Sequence, residues 1–307
     1  MIRKSIFAAS VCLALGHTAF AEDRAYTPGE FDGIEVNHAI DVIYLAGQSY
    51  SVTVEQAGGD FSDIEMVVED GWLTLERVSM TSRWGRHSLS IRDRHGETIV
   101  KVNGKRVPTY LVRITSPDLI ALKASSSSDV SATGIDAENF KAAVSSSADL
   151  TLSGTADYLE LDASSSATLN AQNLTANRLD INASSSSDVY ATSLAGDLTL
   201  DASSSSDVTA SNTGGNVTIN ASSSTDITLR GNCDELRVRA SSSADVLLQE
   251  MLCLTGDLTA SSSADIEAHI TDSVQARASS SGDINVSGQP VQTQISKSSG
   301  GDVDFDG

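Results

Sequence analysis

Basic residues are scarce in this chain of 307 residues, where 20 Lys and Arg side chains stand against 41 Asp and Glu side chains. The formal net charge is −21. A polyanion of this size repels nucleic acid and anionic lipid over most of its surface. The composition therefore excludes nucleic acid as a partner and favours cationic ones.

Long apolar runs and paired histidines are lacking as well. Beyond residue 21 the chain has no stretch of 18 apolar residues, so we expect no transmembrane segment. Its later histidines are His38, His87, His95 and His269, and none has metal-ligand spacing from another His or from Cys. These absences argue against a membrane-spanning protein and against a His/Cys metalloenzyme.

The first 21 residues are typical of a secretory signal peptide. Arg3 and Lys4 precede an apolar run, and Ala19-Phe20-Ala21 has the small-x-small pattern of a cleavage site. We therefore expect residues 1–21 to be removed from an exported protein of the periplasm or cell surface. Loss of Arg3 and Lys4 leaves 18 basic and 41 acidic side chains, a formal charge of −23.

A phrase of seven residues, Ala-Ser-Ser-Ser-x-Asp-Val, recurs every 18 to 20 residues in the second half of the chain. Its ten copies begin at Ala124, Val144, Ala163, Ala183, Ala202, Ala221, Ala240, Ala260, Ala278 and, in degraded form, Lys297. One copy is too short to enclose a core of its own. The period therefore predicts a solenoid in which each copy forms one coil.

Within a coil, apolar residues alternate with polar ones on both sides of the serines. With the first residue of the phrase as position 0, positions −4, −2, +6 and +8 are apolar in most coils. This pattern predicts two β-strands per coil, with a Gly or Asn five residues beyond the Asp ending the second strand. The expected fold is all-β, a parallel and right-handed β-helix of about ten 19-residue coils, roughly 50 Å long at about 4.8 Å per coil.

Residues 22–123 carry alternating stretches but no serine phrase, which predicts an N-terminal β cap or irregular first coils before the Ser/Asp-repeat β-helix of residues 124–307. An insertion at residues 77–106 concentrates basic side chains. Positive charge on an acidic rod favours docking to an anionic component of the cell envelope. The predicted docking residues are Arg83, Trp84, Arg86, Arg92 and Arg94.

Several N-terminal segments resemble a known family. They are Phe31 to Val36 with the following Ile40-Asp41-Val42, Tyr50 to Val54, Gly71 to Leu75, and Val112 to Leu119, which leads into the first serine phrase. Over roughly residues 28 to 230 the chain resembles the bacterial "putative auto-transporter adhesin, head GIN domain" family. The resemblance implies an exported β-helical protein with an adhesin-like role, and it supplies no catalytic residues.

Two interpretations of the serine phrase are open. The serines could bond one another and the turn backbone from coil to coil, since serine and aspartate are ordinary turn formers. Alternatively, outward serines could form a flat ladder for a repetitive ligand such as a glycan or ice. The repeats contain few aromatic residues, which argues against glycan stacking platforms, and we favour the structural interpretation.

A column of carboxylates follows from the phase of the repeat, with Thr168 as its one exception. Stacked roughly 5 Å apart, neighbouring carboxylates repel by about 1 kcal/mol even in water. Hydrogen bonds from turn N–H groups could offset this repulsion, or a divalent cation such as calcium could bind. The predicted column is Asp129, Asp149, Asp188, Asp207, Asp226, Asp245, Asp265, Asp283 and Asp302.

Cys233 and Cys253 each stand seven residues before their coil's phrase, so they share one phase on adjacent coils. Stacked positions lie about 4.8 Å apart, within the Cα separation that a disulfide requires. Export permits oxidation. We therefore predict a disulfide between them.

The repeat is nearly uniform, whereas a catalytic site should interrupt it. We therefore predict an exported, non-catalytic, adhesin-like interaction module that needs no cofactor, with calcium as the one candidate ion. Its candidate partner is a cell-envelope component or a glycan, and the oligomeric state is left open. The alternatives are a polysaccharide-acting enzyme that uses paired column carboxylates, or a purely structural envelope spacer.

Overall fold

The computed structural model describes residues 21–57, 60–77, 81–82, 85–86, 89–94, 97–102, 104–194 and 196–306. For residues 21, 81–82, 85–86, 89, 92–94, 97–98 and 102 it describes the backbone alone. These residues form strands and turns and contain no helix, so none of them provides an apolar helix that could cross a membrane.

The strands fall into three groups along the chain. Those of the N-terminal region are β1 (Ala21–Tyr26), β2 (Gly33–Val36), β3 (Ile40–Ala46), β4 (Ser51–Ala57), β5 (Ile64–Glu69) and β6 (Trp72–Arg77). Those of the insertion are β7 (Thr81–Ser82), β8 (Gly85–Arg86), β9 (Leu89–Arg94), β10 (Glu97–Val102) and β11 (Lys105–Val107). Those that follow are β12 (Tyr110–Ser116), β13 (Ala121–Ser125), β14 (Asp129–Ser145), β15 (Asp149–Ala163), β16 (Thr168–Ser184), β17 (Asp188–Ser193), β18 (Leu198–Ser203), β19 (Asp207–Thr213), β20 (Val217–Ser222), β21 (Asp226–Ser241), β22 (Asp245–Ser261), β23 (Asp265–Ser279), β24 (Asp283–Ser287), β25 (Gln292–Ser298) and β26 (Asp302–Asp306).

Successive coils pair in parallel and in register on both sides of the serines. Ala202 of β18 lies opposite Ala221 of β20, and Asp207 of β19 lies opposite Asp226 of β21. All strands outside the insertion join one sheet of 21 strands. The expected fold, a parallel β-solenoid of about ten coils of roughly 19 residues, is confirmed.

The core lies inside the coils and consists of the alternating apolar side chains. In the coil of Ala202, the side chains of Leu198, Leu200, Val208 and Ala210 are all buried. Full burial of one Leu or Val side chain contributes about 1.5–3 kcal/mol. Because each coil covers the open face of the one before it, the core is continuous along the axis.

On the side of the coil opposite the serines, the strands are longer than we expected. We expected the Gly or Asn beyond the Asp to end the second strand, but β14, β15, β16, β21, β22 and β23 each run 15 to 17 residues to the next serine. Gly154 and Gly231 bend these strands with φ angles of 139° and 115°. A Cβ at Gly154 would lie 2.0 Å from the Ile135 carbonyl oxygen, so only glycine allows the coils to stay in contact there.

At the serine phrase the chain turns through two consecutive serines that adopt the left-handed conformation. At positions +2 and +3 of nine corners φ lies between 52° and 62°, as in Ser204 and Ser205. Left-handed backbone is unusual for serine and costs on the order of 1 kcal/mol per residue. We call positions +1 to +4 the serine corner.

Hydrogen bonds between coils run through the serine corner without interruption. The N–H of Ser205 donates to the carbonyl of Ser223 at 3.0 Å, and the N–H of Asp207 donates to the carbonyl of Ser187 at 2.9 Å. The same pairings recur from coil to coil. Each corner therefore satisfies its backbone through its neighbours, which offsets the conformational cost.

Position +4 points inward and accepts only small side chains. Ser187 and Ser206 are fully buried there, and their hydroxyls donate to the carbonyls of Ala163 and Ala183 at 3.1 and 3.2 Å. Ser128 holds the position in the first repeat and is also buried, and alanine, threonine or glycine holds it in the remaining coils. The fifth residue of the phrase, at position +4, is thus a core residue.

A further coil, without a serine phrase, precedes the repeats. Val36 of β2 lies opposite Ala124 of β13, and Val42 of β3 pairs with Val130 of β14. Between β2 and β3, His38 and Ala39 take φ angles of 68° and 55° and reproduce the left-handed corner. The solenoid therefore begins before the first serine phrase.

Antiparallel strands close this end of the solenoid. Beneath β2 and β3 lie β6 and β12 in parallel, and β4 covers β12 while β5 covers β6, both antiparallel. Strand β1 then pairs with β4. The insertion lies between β6 and β12, at the position that a serine corner occupies in the other coils. The edge that an open solenoid would expose is thereby covered.

The left-handed serines predict opposite responses to glycine at two neighbouring positions. Ser205→Gly should leave the free energy of unfolding unchanged or raise it, because glycine adopts positive φ without strain. Ser203→Gly, at a position without positive φ, should lower it by about 0.5–1 kcal/mol. Urea denaturation measures both; equal losses would contradict the strained corner.

Candidate functional site

The outer surface of the serine corners is a regular array of hydroxyl groups. In the middle coils, side chains at +2 and +3 are exposed, such as those of Ser204 and Ser205. Each coil adds one row at a spacing of about 4.8 Å. The local sequence produces this surface because the backbone turns outward at the two left-handed residues.

The nine predicted aspartates form one column beside this array, since each lies opposite its counterpart in the next coil. Thr168 fills the gap between Asp149 and Asp188. Asp41 of β3 extends the column, because its neighbour Val42 pairs with Val130 beside Asp129. We had not predicted this member, although Ile40-Asp41-Val42 has the same Asp-Val pair as the phrase.

Burial and neighbouring charges shift the pKa of two carboxylates inside the column. Partial burial, followed by the charges of Asp226 and Asp188, raises the pKa of Asp207 above its ordinary value. Burial and two neighbouring column carboxylates likewise raise the pKa of Asp265. At the end of the column the effect reverses, because hydrogen bonds from Lys297 Nζ and the Val303 N–H lower the pKa of Asp302.

The described residues contain no cluster of three or more His, Cys, Asp or Glu side chains that could hold a metal ion. The aspartates of the column are stacked one above another rather than arranged around one point. Calcium binding by the column stays a prediction.

A groove runs along the axis beside the serine corners. Two open depressions of about 420 and 450 Å³ share Asn182 and Ser184, so they join into one channel. It extends from Glu35 and Asn37 to Arg239 and Ser241, over eight successive coils. At about 4.8 Å per coil the channel is roughly 34 Å long. We call it the corner groove.

Polar side chains line both walls of the corner groove. One wall is the +1 serine column, and the other is the column at position −1, which reads Glu35, Lys123, Ala143, Asp162, Asn182, Asp201, Asn220 and Arg239. Asn182 donates to Asp162 at 2.9 Å, and Asn220 donates to Asp201 at 2.7 Å. Each Asn retains a second N–H and its carbonyl oxygen for a ligand.

The groove carries charges of both signs. Glu35, Asp162 and Asp201 are acidic, and Lys123 and Arg239 are basic. Asp162 is also bonded to Lys141 Nζ at 2.9 Å, which reduces its effective charge. The groove therefore suits an uncharged polar chain better than a polyanion or a polycation.

The predicted docking residues fall largely beyond what the structure describes. Arg83 and Trp84 lie outside the described residues, and of Arg86, Arg92 and Arg94 only the strand backbone in β8 and β9 is described. Docking by the insertion therefore stays a prediction.

Arg77, at the start of the insertion, is a buried anchor rather than part of an exposed basic arm. Its Nη1 contacts Asp63 Oδ2 at 2.7 Å, its guanidinium lies 4.5 Å from the ring centre of Tyr110, and Nη2 donates to the Pro108 carbonyl. Burial and the neighbouring Asp63 raise the pKa of Tyr110. These contacts join the segment before the insertion, at Arg77, to the segment after it, at Pro108 and Tyr110.

Cys233 and Cys253 lie opposite each other in β21 and β22, with Cα atoms 4.6 Å apart and their Sγ atoms bonded. Both are buried, at the corner of the coil away from the serines. The disulfide therefore ties two adjacent coils together and leaves the corner groove unchanged.

Comparison with known proteins gives one family and several solved structures. The family model described as "Putative auto-transporter adhesin, head GIN domain" matches residues 30–213 and 192–290. No curated protein matches the chain.

The crystal structure of a putative adhesin from Parabacteroides merdae is 13% identical, with 94% of this chain and 98% of that chain covered and a TM-score of 0.48. One from Parabacteroides distasonis is 17% identical, with the same coverage and TM-score. A putative lipid binding protein from Parabacteroides distasonis is 15% identical, again with 94% and 98% covered, and has a TM-score of 0.44.

The raised pKa of Asp207 predicts how stability depends on pH. A carboxyl whose folded pKa exceeds its unfolded value near 3.8 destabilises the fold when ionised, and this effect disappears as pH falls through the folded pKa. Asp207→Asn should therefore be more stable than the unsubstituted chain at pH 6, with a difference that shrinks toward pH 4. Thermal denaturation across this range measures it.

Asp302→Asn is the matched control, because the pKa of Asp302 is lowered. This variant should be the less stable one at pH 6, and its deficit should shrink toward acid pH. The same sign for both variants would contradict the repulsive column.

Proposed function

Since the chain belongs to the family described as putative auto-transporter adhesin, head GIN domain, we propose that it is a non-catalytic, adhesin-like binding module. It acts after export, in the periplasm or at the cell surface, and binds a glycan of the cell envelope or of a neighbouring surface. The corner groove is its binding surface.

The continuity of the corner groove is the observation that supports this proposal. Over eight coils the groove presents one wall of +1 serine hydroxyls, which begins with Asn37, and one wall of amide, carboxylate and basic side chains at position −1. A linear polysaccharide also repeats its hydroxyl groups, so it can satisfy many of these positions at once. The corner groove and a linear polysaccharide are both periodic, so they can match along their length without a deep pocket.

Hydrogen bonds supply the affinity, because aromatic side chains do not line this groove in the described residues. A single hydrogen bond contributes a net of about 0.5–1.5 kcal/mol. Several in a row reach the affinity that one sugar unit would lack. The mixed charges at position −1 favour a neutral chain over an acidic one.

A binding role also agrees with the uniformity of the surface. Acid–base catalysis needs two groups whose surroundings push their pKa values apart at one place. The serine wall of the corner groove instead repeats from coil to coil, and the Asn182–Asp162 pair recurs as Asn220–Asp201. This supports recognition rather than turnover.

Affinity electrophoresis in gels that contain a soluble polysaccharide tests the proposal. Mannan and dextran serve as neutral chains, and alginate serves as an acidic one. The chain from Glu22 should be retarded by a neutral polysaccharide. The double variant Asn182→Ala and Asn220→Ala should bind about tenfold more weakly, since two hydrogen-bonding positions are worth about 1–3 kcal/mol together.

Asn177→Ala is the matched control. Asn177 also donates to an aspartate of the preceding coil, Asp157, at 2.9 Å, but lies outside the corner groove. The Asn177→Ala variant should bind the neutral polysaccharide as tightly as the unsubstituted chain does. Equal losses in both variants, or no retardation by any neutral polysaccharide, would refute the groove as the binding surface.

A further inference from the structure

The two ends of the solenoid differ. At the end that carries β4 and β5, antiparallel strands cover the first coil. At the other end, β25 pairs only with β23 and β26 only with β24 among the described strands. Each of the last two strands therefore presents one row of unpaired backbone N–H and C=O groups.

At this end, several side chains in the inward phases of the last coil are exposed, although their counterparts in earlier coils form the core. All seven residues of β25 are exposed, whereas Val274, Ala276 and Ala278 at the same positions of the preceding coil are buried. Ile295 is 45% exposed and Phe305 is 38% exposed, although both occupy inward phases. Another layer of strands would bury them as it does in every earlier coil.

The two edges differ in charge, and within one copy Lys297 Nζ pairs with Asp302 Oδ1. Strand β25 contains Lys297 and no acidic residue, whereas β26 contains Asp302, Asp304 and Asp306 and no basic residue. Pairing β26 with another β26 would set three carboxylates against three, and like charges across strands are destabilising. Pairing β25 with β26 avoids this repulsion.

We propose that this end is an interface for a second copy of the chain, joined tail to tail about a two-fold axis. The axis lies across the solenoid and passes through the last serine corner, at Ser299 to Gly301. A rotation about it exchanges the two sides of the corner, so β25 of each copy lies on β26 of the other.

The strand directions agree with this arrangement. Within one copy β25 runs toward the corner and β26 runs away from it. After the rotation the facing strands run in opposite directions, so both new pairs are antiparallel ladders. The interface is isologous and closes on itself, which makes a dimer rather than a fibre.

The packing of the new layer follows from the same exchange. Ile295 of one copy faces the side of the corner that carries Phe305 of the other, so the two exposed apolar residues complete the core between the copies. This inference depends on the unpaired edges alone and holds whether or not the groove binds a glycan.

Sedimentation velocity of the chain from Glu22 tests the inference. The chain should sediment as a dimer at micromolar concentrations, and Ile295→Asp should sediment as a monomer with an unchanged circular dichroism spectrum. Leu45→Asp is the matched control, because Leu45 is 54% exposed but lies near the opposite end. It should stay dimeric.

Cysteine cross-linking locates the interface. Ser299→Cys places one thiol per chain beside the axis, about one strand spacing from its counterpart, and should give a covalent dimer on oxidation. Ser280→Cys holds the same phase one coil earlier, where the two thiols are about three spacings apart, and should not.

If the chain sediments as a monomer at every concentration, the inference is wrong, and the edges of β25 and β26 do not pair with a second copy. A dimer that survives Ile295→Asp, or that Ser280→Cys cross-links as readily as Ser299→Cys, would overturn it in favour of a lateral contact.

Discussion

Nine coils depend on a corner in which two consecutive serines adopt the left-handed conformation and bond to the neighbouring corners. A single coil would bear the conformational cost of on the order of 1 kcal/mol per serine with no partner for its backbone. In the stack, the N–H of Ser205 has the Ser223 carbonyl, and the pattern repeats. The corner is therefore stable only as part of an array, which makes the solenoid cooperative along its axis.

The surface follows from this corner. The +1 serines form one wall of the corner groove, the +2 and +3 serines face solvent, and the +4 side chains are buried. The Asp at +5 then begins the next strand, so a column of carboxylates is an unavoidable product of strict stacking. Partial burial, followed by repulsion within that column, raises the pKa of Asp207, while core burial and the corner ladder hold the coils in register.

The period and the alternation of apolar residues were sufficient to predict the coils, their inward faces and the phase of the carboxylates, because these properties are local and repeat. The left-handed corner was not predictable, since serine rarely takes positive φ and only the stacked neighbours impose it. The coil at Val36 to Val42 could be predicted only as one of two alternatives, a β cap or irregular first coils, because His38 and Ala39 replace its serines. The corner groove depends on how strands bend at the corner, and the burial of Arg77 depends on Asp63 and Tyr110, which are distant in sequence.

Native-state hydrogen exchange of the corner amides tests the central claim most directly. If the inter-coil bonds hold the corners, the amide hydrogens of Ser205, Ser224 and Ser243 will be protected to the same degree as those of the adjoining strands, although their side chains face solvent. Exchange at the rate of unstructured serine amides would contradict the account, because the corners would then be loose connections between independently paired strands.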